Sequence, residues 1–87
     1  IQSIMDISKK VIEQITKVLK KNGIEGEISE STELLRTYSI DSLIAIEILV
    51  SMEEIFNIEI KDEDLSFDLL ETPKVLIDYI CQICENK

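Results

Sequence analysis

Apolar residues recur at helical spacing in three stretches of this chain. From about Ile4 to Lys21, the residues Ile4, Met5, Ile7, Val11, Ile12, Ile15, Val18 and Leu19 fall on one face of a helix. Asp6, Lys9, Lys10, Glu13, Lys17 and Lys20 fall on the other. Ser3 is placed to cap this helix, Lys20 and Lys21 sit at its negative end, and Asn22-Gly23 stops it. A second helix is predicted from Asp41 to about Phe56, with Ala45, Ile48, Leu49, Met52, Ile55 and Phe56 as its core stripe. The last helix starts with Thr72 as cap and Pro73 in the first helical position, and turns Val75, Leu76, Tyr79, Ile80 and Ile83 inward.

The segments between these stretches are less regular. A long connection runs from Gly23 to Ile40, anchored by Ile24, Ile28, Leu34 and Leu35, with a short helical turn expected over Ser31–Leu35. Asn57 to Lys61 reads as a strand-like exit, and Asp62 to Phe67 as a short third helix. No internal repeat, linker or low-complexity tract divides the chain, so residues 1–87 are expected to form a single all-α domain with one modest core.

The second helix has more apolar residues than one buried stripe needs. Leu43, Ile46 and Val50 lie roughly opposite the core stripe, among Glu47, Glu53 and Glu54. Burying the helix all round would bury those glutamates without partners, which is costly. An exposed strip of aliphatic side chains rimmed by carboxylates avoids that cost, and such a strip is a docking surface.

Charge narrows the partners. Residues 1–21 carry five lysines against Asp6 and Glu13, a net of +3, so the rest of the chain holds −12 within a total of −9. Such a field repels nucleic acid and anionic membranes and favours basic protein surfaces. With 45% hydrophobic residues the chain is too apolar for a disordered acidic tail. No apolar run reaches bilayer length, and the first ten residues lack a signal peptide's apolar core, so the cytoplasm is the expected compartment.

Catalysis lacks its usual residues. The chain has no histidine, and Ser42 lacks the flanking glycines of a nucleophile elbow. A calcium loop starting at Asp62 would need Gly at its sixth position and Glu at its twelfth, where Phe67 and Pro73 stand. Cys81 and Cys84 form a C-x-x-C late in the last helix, away from the helix N-terminus that would activate a thiol. No further Cys or His completes a zinc site. The cysteines read as inert apolar residues, no metal is expected, and the chain reads as a protein that is acted upon.

The residue acted upon is Ser42. Asp41 is suited to cap the second helix, which puts Ser42 in its first turn among unsatisfied backbone N–H groups. A phosphate ester there would sit at the positive end of the helix dipole. A plain Asp-Ser helix start or a phosphorylation site would use the same geometry, so the local motif leaves the role open.

Taken with its surroundings, the motif resembles the acyl and peptidyl carrier proteins of fatty-acid, polyketide and nonribosomal-peptide synthesis. The resemblance rests on Ile40-Asp41-Ser42-Leu43, Ala45-Ile46-Glu47-Ile48-Leu49, the run from Met52 to Ile60, Asp62-Glu63-Asp64, and Ile77-Asp78-Tyr79-Ile80. It covers nearly the whole chain. It implies a four-helix bundle with a long first loop and a short third helix. It also implies 4′-phosphopantetheine carried on Ser42, flanked by Asp41, with cargo held as a thioester on the arm's thiol. The second helix would then be the recognition helix, in agreement with the strip of Leu43, Ile46, Glu47, Val50, Glu53 and Glu54. The implied partners are a phosphopantetheinyl transferase, an acyl- or amino-acid-activating ligase, and acyl-transferring or condensing enzymes.

Some positions depart from the family. Many carriers have Gly where Ser39 stands, and fatty-acid carriers commonly have an acidic residue where Ile44 stands. The stretch between Asp64 and Thr72 looks longer than in bacterial fatty-acid carriers, and Ala45-Ile46 leans toward peptidyl carriers. The expectation is a free-standing monomeric carrier of a specialised pathway, without enzymatic activity of its own. The competing expectation is a small acidic helical adaptor that binds basic surfaces without a prosthetic group.

Overall fold

The computed structural model describes residues 3–85. Its first helix, α1, spans Ile4–Lys21, and the Ser3 hydroxyl accepts the Asp6 N–H at 3.2 Å, as the cap was expected to do. Asn22 ends it, and Gly23 follows at φ 78°, a left-handed conformation that suits glycine. Ile7, Val11, Ile15, Val18 and Leu19 are buried. Ile4 and Met5, expected on that face, are exposed instead. Met5 lies well to the side of the stripe, and Ile4 keeps the register but falls in an end turn that is left uncovered.

The connection after α1 is pinned from several sides. Ile24, Ile28 and Leu35 pack against the core as expected. The Ser8 hydroxyl donates to the Glu30 carboxylate at 2.8 Å, and the Lys74 N–H donates to the Glu30 carbonyl. The helical turn forms later than expected, as α2, Leu34–Thr37, around the fully buried Leu34.

The central helix, α3, spans Ser42–Phe56. Ala45, Ile48, Leu49, Met52 and Phe56 are buried as predicted, and Ile44 joins them. Ile55, expected in the core, is exposed. It points to the same side as Ile44, but near the other end of the helix, where that side is open. Asn57 closes α3 in the left-handed region at φ 53°. Ile58 and Ile60 are then buried in alternation with exposed Asn57, Glu59 and Lys61, the period of two expected of a strand-like exit.

The third element is broken. Two 3₁₀ turns, Asp62–Asp64 and Phe67–Leu70, replace one helix over Asp62–Phe67. Three consecutive carboxylates supply no apolar stripe to hold a longer helix. Ser66 restarts the chain by accepting the Asp68 N–H on its hydroxyl at 3.1 Å. The last helix, α4, spans Pro73–Glu85 and buries Pro73, Leu76, Ile77 and Ile80. Val75 is exposed because the buried stripe is centred on the opposite side, toward Ile77.

The packing is an all-α bundle, with no strand among the described residues. Helix α1 packs on both α3 and α4, and the turn Phe67–Leu70 lies against α2, α3 and α4. Leu34, Ile48, Met52, Leu70, Leu76 and Ile80 form the inaccessible centre. Met52→Ala should cost about 2–5 kcal/mol in urea denaturation, whereas Ile55→Ser should stay within about 1 kcal/mol of the parent. Equal losses from the two would contradict the observed rotation of α3.

Candidate functional site

The site is built at the start of α3. Asp41 is the N-cap: its carboxylate accepts the Ile44 N–H at 2.9 Å, and its carbonyl accepts the Ala45 N–H at 3.0 Å. These two bonds lock the first turn, and the burial of Ile44 and Ala45 fixes its rotation. Ser42 is thereby the first residue of α3, and it is exposed. Its hydroxyl stands where free backbone N–H groups and the helix dipole favour an anion.

The approach to Ser42 is held by a contact that the sequence does not reveal. The Tyr38 ring lies against the backbone of Gly26, with its hydroxyl in the place a Cβ on residue 26 would take. Tyr38 and Ile40 are half-buried against the core, which anchors the segment leading into Asp41. On the other side of Ser42 lies an apolar cleft of about 220 Å³, lined by Ser42, Ala45, Ile46, Leu49, Leu65, Ser66 and Phe67. Sequence reasoning assigned no role to Leu65 and Phe67. The available signal was two apolar side chains in an acidic stretch with no helical register of their own.

The second stripe of α3 lies on the surface: Leu43 is 69% exposed, Ile46 53% and Val50 43%. Its carboxylates are not equivalent. Glu47 is shared, with Lys21 Nζ at 3.1 Å from one oxygen and Asn22 Nδ2 at 3.4 Å from the other. Glu53 accepts the Ile60 N–H at 2.8 Å and so braces the exit from α3. Glu54 is exposed. Both pairings link residues distant in sequence or a side chain to backbone, and for that reason no periodicity revealed them.

The other candidate chemistry is spread out. No cluster of three or more His, Cys, Asp or Glu side chains suited to a metal ion occurs among the described residues. Cys81 and Cys84 are free and half-buried, and burial followed by the Asp78 carboxylate pushes the Cys81 thiol up, away from a reactive thiolate. Among the described residues no helix is long and apolar enough to cross a membrane.

Known proteins resemble this chain in sequence. The profile of the family described as "Phosphopantetheine attachment site" matches residues 9–80, which takes in most of α1, the capped serine, the flanking turns and most of α4. The chain belongs to that family. It is similar to the acyl carrier protein of Buchnera aphidicola subsp. Schizaphis graminum (strain Sg), 37% identical over 75 residues, covering 86% of this chain and 90% of the relative. It is also similar to the acyl carrier protein of Syntrophobacter fumaroxidans (strain DSM 10017 / MPOB), 27% identical over 79 residues, covering 90% and 95% respectively. No solved structure matches the chain. The chain is a carrier, not an enzyme. Its cofactor is covalently attached 4′-phosphopantetheine, and it works with a phosphopantetheinyl transferase and biosynthetic enzymes. An exposed hydroxyl in a capped first turn, with an apolar cleft beside it, fits such a group.

Tyr79 on α4 faces the acidic turn from the far side. Its hydroxyl donates to an Asp64 carboxylate oxygen at 3.0 Å. Burial, then this bond and the Asp64, Glu53 and Glu63 carboxylates, push its pKa up from 10.0 to about 12. A folded pKa above the unfolded value favours the neutral form in the native state. The resulting stability is complete below the unfolded value near 10 and is lost as pH rises toward about 12. In an ultraviolet phenolate titration, Tyr79→Phe should remove the highest step and flatten the stability loss across that window. A highest step that survives in the variant would contradict the assignment.

Proposed function

We propose that this carrier holds acyl thioesters on a phosphopantetheine arm attached to Ser42 and passes them between the enzymes of a biosynthetic pathway. The observation that carries the reading is the placement of Ser42. It is exposed in the first turn of α3, capped by Asp41, and forms part of the lining of an apolar cleft. In a transferase-catalysed step the Ser42 oxygen, losing its proton, forms a bond to the phosphopantetheine phosphorus of coenzyme A as the pyrophosphate P–O bond breaks; adenosine 3′,5′-bisphosphate leaves and Ser42 becomes a phosphodiester. The arm supplies a thiol on which cargo is held as a thioester. The helix start favours the phosphodiester's charge, and the tether keeps cargo at high effective concentration for each partner.

An acyl cargo is favoured over an aminoacyl one. The cleft beside Ser42 is lined mainly by aliphatic and aromatic side chains, which suit a hydrocarbon and offer little to a charged amine. Both named relatives are acyl carrier proteins. A specialised pathway is favoured by Ser39 and by Ile44, since Ile44 is buried and adds no carboxylate where fatty-acid carriers commonly present one. Residues 1–87 act as one carrier domain in this reading.

The partner surface is the exposed strip of α3, with Leu43, Ile46 and Val50 as apolar anchors and Glu54 as an open carboxylate. Glu47 contributes through its pair with Lys21, which a partner's cation would replace or share. Glu53 contributes by holding the lower end of the strip in place.

Incubation with coenzyme A, magnesium and a broad-specificity phosphopantetheinyl transferase should add one phosphopantetheinyl group, read by intact mass. Ser42→Ala should add none while keeping its helical circular dichroism. Modification that persists in the variant, for example on Ser39, would overturn the assignment. The surface is tested separately: Val50→Asp should shift stability by no more than about 0.5 kcal/mol yet slow the transferase or a loading partner. Unfolding of Val50→Asp, or unchanged transfer rates, would place the docking surface elsewhere.

A further inference from the structure

We propose that the partner surface extends from α3 onto the C-terminal end of α1, and that Lys21 acts there as an internal counter-ion, holding Glu47 until a cation of the partner displaces it. The proposal rests on the reading of the α3 strip as the partner surface and names a residue that sets its affinity.

The Lys21–Glu47 pair differs from the other ion pairs among the described residues. Arg36–Glu33 and Lys74–Asp78 join residues three and four apart, neighbours that helical spacing brings together unaided. Lys21 and Glu47 are 26 residues apart in sequence, and their contact at 3.1 Å ties α1 to α3. The pair also falls inside a surface groove of about 320 Å³ between the two helices. Val18, Ile46 and Val50 give this groove its apolar lining, and Lys21, Glu47 and Glu54 its charges. Val18 and Lys21 come from α1, so the strip does not end at the edge of α3.

Charge selects the occupant. The two carboxylates of the groove outnumber its one lysine, and the chain beyond α1 is strongly acidic. The groove therefore fits a basic protein surface that presents an aliphatic side chain beside an arginine or lysine. Glu54 is exposed and enters no ion pair among the described residues, so it is open to such a cation. Glu47 is not open. Lys21 holds one of its oxygens, and Asn22 Nδ2 lies 3.4 Å from the other.

These two ties are unequal. Asn22 is fixed where it stands, because it caps α1 and its Nδ2 also donates to the Val18 carbonyl at 2.8 Å. The Lys21 side chain is 75% exposed and can swing into water when a second cation arrives. Removing the Lys21 charge takes away both a competitor for Glu47 and a repulsion against the incoming cation. Asn22 meanwhile keeps the carboxylate in place. Lys21 thus weakens the surface and raises the charge a partner must bring, which excludes weakly basic surfaces.

The first probe is a synthetic amphipathic helical peptide, with leucines on one face and arginines beside them, titrated into the unmodified isotope-labelled protein. Its NMR shift changes should centre on Val18, Ile46 and Val50. Lys21→Ala should bind it about threefold tighter, the scale of one exposed ion pair. Glu47→Gln should bind it more weakly. The double variant Lys21→Ala/Glu47→Gln should bind no tighter than Glu47→Gln, since the counter-ion then has nothing to hold. Lys17→Ala removes the same charge from an exposed position outside any ion pair among the described residues, so its gain should be smaller and should persist beside Glu47→Gln. The second probe is a broad-specificity phosphopantetheinyl transferase, for which Lys21→Ala should lower the KM of the carrier by a similar factor. Unchanged or weaker peptide binding in Lys21→Ala, a gain that survives in the Glu47→Gln background, shifts centred away from the groove, or a KM that does not fall would each overturn the proposal. If Ser42 cannot be modified at all, the carrier reading fails, while the peptide titration still decides the role of Lys21.

Discussion

The rotation of α3 about its own axis is the constraint on which the rest of the molecule depends. The buried row of Ile44, Ala45, Ile48, Leu49, Met52 and Phe56 can meet α1 and the core in one orientation only. Once that row is seated, Ser42 faces solvent, Leu43, Ile46 and Val50 are turned outward, and Ala45 and Leu49 become one wall of the cleft. The proposed attachment point, partner surface and cargo wall are three sectors of one helix. None of them can be adjusted independently. A carrier that must present the same serine to several enzymes gains from this arrangement, because the serine and the surface around it remain in fixed register.

Much of this was legible in the sequence because it depends on local rules. The capping of α3 by Asp41, the position of Ser42 and the two stripes of α3 follow from helical period and capping chemistry alone. The ends of elements were not legible in the same way. Ile4, Ile55 and Val75 are aliphatic residues at helical spacing, yet each is exposed, because coverage depends on how far neighbouring elements extend and on where each buried stripe is centred. The acidic stretch after Lys61 failed for another reason. Neither its charge nor its few apolar residues impose a period, so capping by Ser66 and the burial of Leu70 decide its shape.

The site shows the same division. Ser42 and the strip on α3 could be read from one helix. Leu65 and Phe67 could not, since they reach the cleft only through the path of a chain that is otherwise exposed. The roles of the glutamates also depend on tertiary structure. Glu47 is drawn into a pair with the basic end of α1, and Glu53 into a backbone bond, so two of the three carboxylates expected on the strip are engaged within the molecule. This softens the electrostatics of a chain with few ion pairs among the described residues. It also makes the acidic face more structured than its composition suggests.

The contact between Tyr38 and Gly26 has a consequence for how such a chain can change. Gly26 does not have a positive φ, so its backbone would accept any ordinary residue. What excludes a side chain there is the tyrosine occupying the space. Positions 26 and 38 are thus coupled by volume: a larger residue at 26 becomes tolerable only once the ring at 38 has been trimmed or swung aside. That exchange would loosen the segment entering the serine from four residues upstream. Variation in an outlying loop would in this way be felt at Ser42, although no bond at the start of α3 had been altered.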